Sequence, residues 1–348
     1  MRNGSIPYFS KWTVGLTFSC LVLFALIITW WSSSTRTWNI GHVVLDISIS
    51  PNGKLVAAAE TTEDRLHQVL IDQSRQASET QAVKLRRVPD GTVERVLMGH
   101  KDDIWTVEFS PDGQLLATGS ADHTVKVWQV HDGKLITTLD SAPATPRSLA
   151  FDPHGQILAV SDETETRFWS TQEWTVRRRL PPGATVFSPD SQLVANLADH
   201  VVKIWRVEDG VLLRSIQARY ASSNVSWSSN GQWLAFAVLR DVQIWRVSDG
   251  EHIATLTGHT NVVNSIVWSP DGKLLATASG ATPSLLRGPA DHTIRLWQAQ
   301  NWQPLMVFSA HDDIVRALAF TPDAQWLVSG SQDGKIRWWD VRPEVISQ

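Results

Sequence analysis

The sequence predicts an all-β architecture of seven antiparallel four-stranded sheets set radially, a seven-bladed β-propeller, preceded by one N-terminal transmembrane helix. Three observations predict it. A turn motif recurs seven times, a second series of short apolar segments closed by tryptophan accompanies it, and an uncharged apolar run occupies Trp12 to Trp31.

The apolar run comes first along the chain. After a short tail of residues 1–11, residues 12–31 carry no charge, and a helix of that length spans about 30 Å, the thickness of a bilayer core. Trp12 stands at one end and Trp30 with Trp31 at the other, where amphipathic rings favour the membrane interface. An uncleaved anchor is expected; the alternative is a cleaved signal peptide, with Ser32-Ser33-Ser34 as the small-residue site. Arg2 and Lys11 precede the run and only Arg36 follows closely, so the N-terminus is expected in the cytoplasm and the remainder on the far side of the membrane.

The turn motif reads apolar, small polar, Pro, acid or amide, Gly. It stands as Ile49-Ser50-Pro51-Asn52-Gly53, Phe109-Ser110-Pro111-Asp112-Gly113, Phe151-Asp152-Pro153-His154-Gly155 and Trp268-Ser269-Pro270-Asp271-Gly272. Looser copies begin at Phe187, Trp227 and Phe320. Proline presets φ at the first corner and Asp-Gly tolerates the rest, so each copy is a hairpin turn between two strands. The second series includes Val125-Lys126-Val127-Trp128, Val202-Lys203-Ile204-Trp205, Val242-Gln243-Ile244-Trp245, Ile294-Arg295-Leu296-Trp297 and Ile336-Arg337-Trp338-Trp339. Its period of two puts the apolar residues on one face, as a third strand of each sheet requires. Val83 to His100 aligns without a gap on Val242 to His259, with Arg86 in place of the tryptophan, which makes the first sheet part of the series.

Most copies are spaced by about 40 residues, the length of one WD blade. Gly99-His100, Gly258-His259 and Ala310-His311 before first strands, tryptophans closing third strands, and a final Trp339-Asp340 complete the likeness. Over residues 35–341 the chain resembles the WD-repeat (WD40) β-propeller family, in a membrane-anchored form. The resemblance implies that a His, a Ser or Thr, an Asp and the Trp form a structural hydrogen-bonded set in a blade. The matching positions are His100, Ser120 or Thr118, Asp122 and Trp128 in blade two. Blade six offers His259, Ser279 or Thr277, Asp291 and Trp297, and blade seven His311, Ser331 or Ser329, Asp333 and Trp339. Repetition at equivalent places argues for architecture rather than a catalytic triad.

Few residues follow Trp339-Asp340, Pro343 among them, so blade seven is expected to borrow its outer strand from residues 35–40, closing a propeller of 35–348. Antiparallel order then places the Gly-His loops, and the turns between second and third strands, on the face away from the apolar run. Both long insertions, Glu60 to Gln81 in blade one and Gly280 to Ala290 in blade six, fall at such turns and flank blade seven.

This sector is the candidate partner site. Its acids are Glu60, Glu63, Asp64, Asp72 and Glu79 in the first insertion, with Asp102-Asp103 and Asp312-Asp313 in nearby loops, and they would favour a basic protein or peptide. Leu285 and Leu286, beside Arg287 and bracketed by Pro283 and Pro289, supply an apolar anchor. The alternative is that these are solvated loops.

Composition excludes other classes. With 31 basic against 35 acidic residues the formal charge is -4, which offers no attraction for nucleic acid. The single cysteine, Cys20, lies in the apolar run, so no disulfide is expected. No phosphate loop, nucleophile elbow, kinase signature or zinc spacing occurs, and Asp312-Asp313 lacks companion ligands. No enzyme, cofactor or metal is therefore expected, and the function expected is that of a monomeric, membrane-tethered scaffold for protein partners. The competing reading is a solute-binding or enzymatic propeller that uses the central channel. Val107, Leu149, Val225, Ile266 and Leu318 on the inner strands look like apolar core, which favours the scaffold.

Overall fold

The computed structural model describes residues 35–61, 81–141, 144–280, 290–309 and 311–346. Residues 12–31 lie outside them, and among the described residues no helix is long and apolar enough to cross a membrane.

Among the described residues, seven four-stranded antiparallel sheets make up the fold. Six blades are continuous in sequence, over 43–98, 104–140, 148–180, 184–217, 221–256 and 263–308. The seventh combines 315–340 with the strand Thr35–Asn39, which pairs antiparallel with Lys335–Asp340 from Thr35↔Trp339 to Asn39↔Lys335. The two ends of the propeller are thus zipped together, and blade seven is left with no missing outer strand.

The turn motif acts through its small polar residue. In blade two the Ser110 hydroxyl donates to Asp112 at 2.6 Å and accepts from the Leu115 amide at 2.9 Å, while Asp112 accepts from the Gln114 amide at 3.0 Å. Ser50, Ser188, Ser228, Ser269 and Thr321 repeat the arrangement. In blade three Asp152 takes the place of the serine, accepting from the Ile157 amide at 2.6 Å. These bonds satisfy amides that the turn withdraws from the sheet ladder.

Alternation along the strands then builds the core between blades. Val44 and Ile47 of blade one pack with Ala317, Val328 and Trp338 of blade seven, and Val107 and Phe109 of blade two with Ala57 and Leu85 of blade one. At the closure Trp38 is buried against Trp338, with ring centroids 5.2 Å apart, and donates to the Pro89 carbonyl of blade one at 3.2 Å. Gly91 lies under that indole at φ +74°, and a Cβ there would fall 2.7 Å from the ring, so glycine is required on both counts.

Arginines join other blades along the rim. Arg95 of blade one reaches the His131 carbonyl of blade two at 2.7 Å. Arg178 of blade three grips the Glu208 and Asp209 carbonyls of blade four at 2.9 and 2.6 Å, and Arg214 repeats this on Ser248 and Asp249 of blade five. The basic run Arg177-Arg178-Arg179 is therefore partly engaged within the ring, since Arg179 also pairs with Glu165.

Candidate functional site

The blade networks are assembled as side-chain relays. In blade two His100 Nδ1 lies 2.9 Å from Asp122, His100 Nε2 lies 2.7 Å from the Thr118 hydroxyl, and the Trp128 indole donates to that hydroxyl at 2.9 Å. Burial alone would raise the Asp122 carboxyl, but hydrogen bonds from His100 and Thr124 outweigh it and hold the group well below the usual range. Asp122 is then an acceptor, so Nδ1 carries the proton. In the tautomer with the proton on Nδ1, Nε2 accepts from Thr118, whose lone pair receives the Trp128 N–H, and each polar group has a partner of the right kind.

Blade six repeats the relay through His259, Thr277, Asp291 and Trp297, and blade seven through His311, Ser329, Asp333 and Trp339. Burial lowers the His311 imidazole below its ordinary value, in keeping with a neutral ring there. The histidine, hydroxyl and tryptophan members are buried in all three blades, while Asp122 and Asp333 are half-buried.

Ser120, Ser279 and Ser331 do not occupy the central place in these relays. Thr118, Thr277 and Ser329, two residues earlier on the same strand face, stand where the indole reaches across. Ser120 instead donates to the Asp102 carbonyl at 2.9 Å and receives the Asp122 amide at 3.1 Å, so it ties the loop to the turn; Ser279 and Ser331 bond the Val262 and Asp313 carbonyls in the same way.

Blades one and three carry substitutes that sequence reading missed. Glu60 is buried on the second strand of blade one and pairs with Arg86 at 2.9 Å and Lys84 at 3.2 Å. It is therefore no part of an acidic loop offered to a partner, because its strand continues through Thr61. In blade three Arg167 pairs with the buried Asp162 at 2.9 Å. An arginine where the other blades hold tryptophan was the available signal in blade one: a buried guanidinium demands a carboxylate.

The candidate partner sector lies where blades six, seven and one meet on the Gly-His face. A cavity of about 480 Å³ there is lined by His42, Asp312, Asp313, Gln332 and Asp333. Asp312 is exposed and receives Lys335 Nζ at 2.6 Å, a contact that holds its carboxyl below the usual range. Asp313 is half-buried and accepts from the Ile314 amide at 2.6 Å. Asp102 is likewise half-buried, whereas Asp103 is 2 % exposed and faces inward, which removes it from any docking surface. Glu63, Asp64, Asp72, Leu285, Leu286 and Arg287 lie outside the described residues. The bases of both insertions are described: Thr61 and Gln81 bound one, and Gly280 and Ala290 bound the other, with Gly280 packed against Ile314 of blade seven.

As expected, Val107, Leu149, Val225, Ile266 and Leu318 are buried in blade cores, and they line the central cavity of about 890 Å³ together with half-buried Trp105, Glu108 and Arg316 and exposed Arg147. Burial pushes the Glu108 carboxyl up to about 8, helped by the charge of Asp46. Burial likewise pushes Asp46 up to about 6, against hydrogen bonds from the Val107 amide, Thr106 and the Ile47 amide. Arg147 lies 4.3 Å over the Trp105 ring.

The ring of four-stranded blades is a β-propeller, and the segments that hold its three His–Thr/Ser–Trp relays are similar to WD repeats. Residues 91–129, 250–298 and 302–340 match the family model described as WD domain, G-beta repeat. Each matched segment contains one of the three complete relays. Over 287 residues, 74 % of this chain, it is 30 % identical to the nuclear distribution protein nudF of Emericella nidulans, of which that alignment covers 63 %. It is 28 % identical over 267 residues to nudF of Aspergillus niger, covering 70 % of this chain and 60 % of the relative. It is also 28 % identical over 254 residues to the transcriptional corepressor LEUNIG_HOMOLOG of Arabidopsis thaliana, covering 71 % of this chain and 31 % of the relative. The chain thus spans less than two thirds of the length of these relatives, and none of the three names is that of an enzyme.

Proposed function

We propose that this protein is a non-catalytic, membrane-tethered scaffold that binds a protein partner on its Gly-His face, over blades six, seven and one. One observation carries the reading. Because Thr35 pairs with Trp339 and Asn39 with Lys335, the chain enters the ring on the face of the Ser-Pro-Asp-Gly turns, while both insertions leave from the opposite face. An anchor formed by residues 12–31, joined through Ser32 to Ser34, would hold the first face toward the bilayer and turn the second away from it. In this reading the N-terminus is cytoplasmic and the propeller lies across the membrane.

The relatives' names point to different tasks, nuclear distribution and corepression, so they support a shared binding platform rather than a shared partner. The acidic rim is smaller than the sequence suggests, since Asp103 is buried and Asp312 is paired with Lys335. Preference for a basic partner therefore rests on the first insertion, which holds Glu63, Asp64, Asp72 and Glu79, since residues 280–290 carry no acid.

The test is a comparative pull-down from detergent-solubilised membranes, using the full chain and a variant with residues 62–80 replaced by a two-residue turn. Proteins retained by the first and lost from the second support the reading. Identical sets overturn it. Protease added outside intact cells should cut the propeller, and a fully protected propeller contradicts the orientation.

A further inference from the structure

The Ser-Pro-Asp-Gly face carries an aromatic groove of about 880 Å³ where blades five, six and seven meet. Trp233, Trp268, Trp302, Leu305, Val341 and Ile346 form its apolar wall. Trp302 meets Trp233 edge-on at 5.8 Å and Trp268 at 6.0 Å, so three indoles share one surface. Trp302 also holds φ +63° in the turn where blades one, two, four and five place Gly91, Gly133, Gly210 and Gly250. A bulky residue in that left-handed conformation is disfavoured, yet here it presents a large ring to the groove.

The described chain begins near this groove, at Thr35. Thr35 is paired with Trp339, and Val341 follows two residues later. Paired Cα atoms lie about 5 Å apart and two extended residues cover about 7 Å, which puts the near wall within about 12 Å of Thr35. From Thr35 back to Trp31 the chain makes four steps and reaches at most about 14 Å. Trp30 and Trp31 are therefore the first large apolar side chains able to reach the groove, and their chemistry matches its wall. The charges around it are balanced, Asp249 pairing with Arg246 and Asp271 with Lys273, so the groove offers no net attraction to an anionic lipid surface.

We propose that this groove receives the Trp30-Trp31 end of the chain's own apolar segment, which would fix the tilt of the propeller on its tether. The proposal rests on that segment being retained, as the scaffold reading holds. It gives the Ser-Pro-Asp-Gly face a task distinct from partner binding on the opposite face.

The test uses the full chain in native-lipid vesicles with Gln300→p-benzoyl-phenylalanine on the groove rim and, as control, the same probe at Gln332 on the Gly-His face. After irradiation, intact mass and peptide mapping identify what each probe has captured. The expected result is a crosslink from position 300 to the peptide containing residues 28–34, absent from position 332. Trp30→Ala with Trp31→Ala should lower that yield about tenfold, as loss of two aromatic anchors predicts, with an unchanged circular dichroism spectrum. Capture of lipid, of a second copy or of nothing at position 300 overturns the docking proposal while leaving the tether intact. An intact mass lacking residues 1–31 overturns the tether reading as well.

Discussion

Replacing Thr118 with Val keeps the shape of the side chain and removes the hydroxyl at the centre of the blade-two relay. Two buried groups then lose their partners, His100 Nε2 at 2.7 Å and the Trp128 indole at 2.9 Å. An orphaned buried polar group costs about 1–3 kcal/mol, so Thr118→Val should destabilise the propeller by about 3 kcal/mol. Ser120→Ala removes only a link between a loop carbonyl and a turn amide close to solvent and should cost about 1 kcal/mol. Because replacing both partners of a hydrogen bond is milder than removing one, Trp128→Phe added to Thr118→Val should cost less than the sum of the single changes, by about 1 kcal/mol. Urea unfolding of the full chain in detergent, followed by tryptophan fluorescence and circular dichroism, measures all four variants. If Ser120→Ala costs as much as Thr118→Val, or the double variant is additive, the relay does not run through Thr118.

Other expectations follow from the same geometry. Glu108 has a folded-state value raised to about 8, so its contribution is fully present below the ordinary carboxyl range and is lost as pH rises through about 8; Glu108→Gln should be the more stable protein at pH 8.5 and lose that advantage by pH 5, measured as Tm across that range. Glu60→Leu strands the buried Arg86 and should cost about 3–5 kcal/mol in urea unfolding, whereas combining Ala58→Thr, Glu60→Ser and Arg86→Trp, which copies blade two, should recover most of it. Gly210→Ala, with φ +71° and its new Cβ against Arg178, should lower stability more than Gly41→Ala, which has a similar φ and open space, by about 1 kcal/mol or more in the same assay. Leu285→Asp with Leu286→Asp should leave the circular dichroism spectrum unchanged and abolish partner retention in the pull-down; unchanged retention removes these residues from the docking surface.

The blade count was legible because each turn opens on a small hydroxyl or carboxylate, followed by proline in all but blade five and then by an acid or amide in all but blade three, a pattern local to five residues. The outer strand at residues 35–40 was legible for the same kind of reason, since it stands before Gly41-His42 where other blades place theirs. What escaped notice depends on residues far apart in sequence. Strand alternation puts Thr118 and Ser120 on one face but does not say which of them an indole ten residues away will reach. Arg95, Arg178 and Arg214 occupy equivalent outer-strand positions, a recurrence visible in sequence, but their partners are carbonyls of the next blade and leave no side-chain signature.

The arrangement of faces depends on the pairing that closes blade seven, and an engineered crosslink examines it directly. In a Cys20→Ser full chain, Thr37→Cys with Arg337→Cys places thiols on residues that are Cα partners in the observed register. Mild oxidation should join them, and after proteolysis within the propeller the N-terminal and C-terminal fragments should stay together until reduced. Failure to form that bond, together with efficient bonding of Thr37→Cys to a cysteine at Lys335 or Trp339 instead, would contradict the register and the assignment of faces built on it.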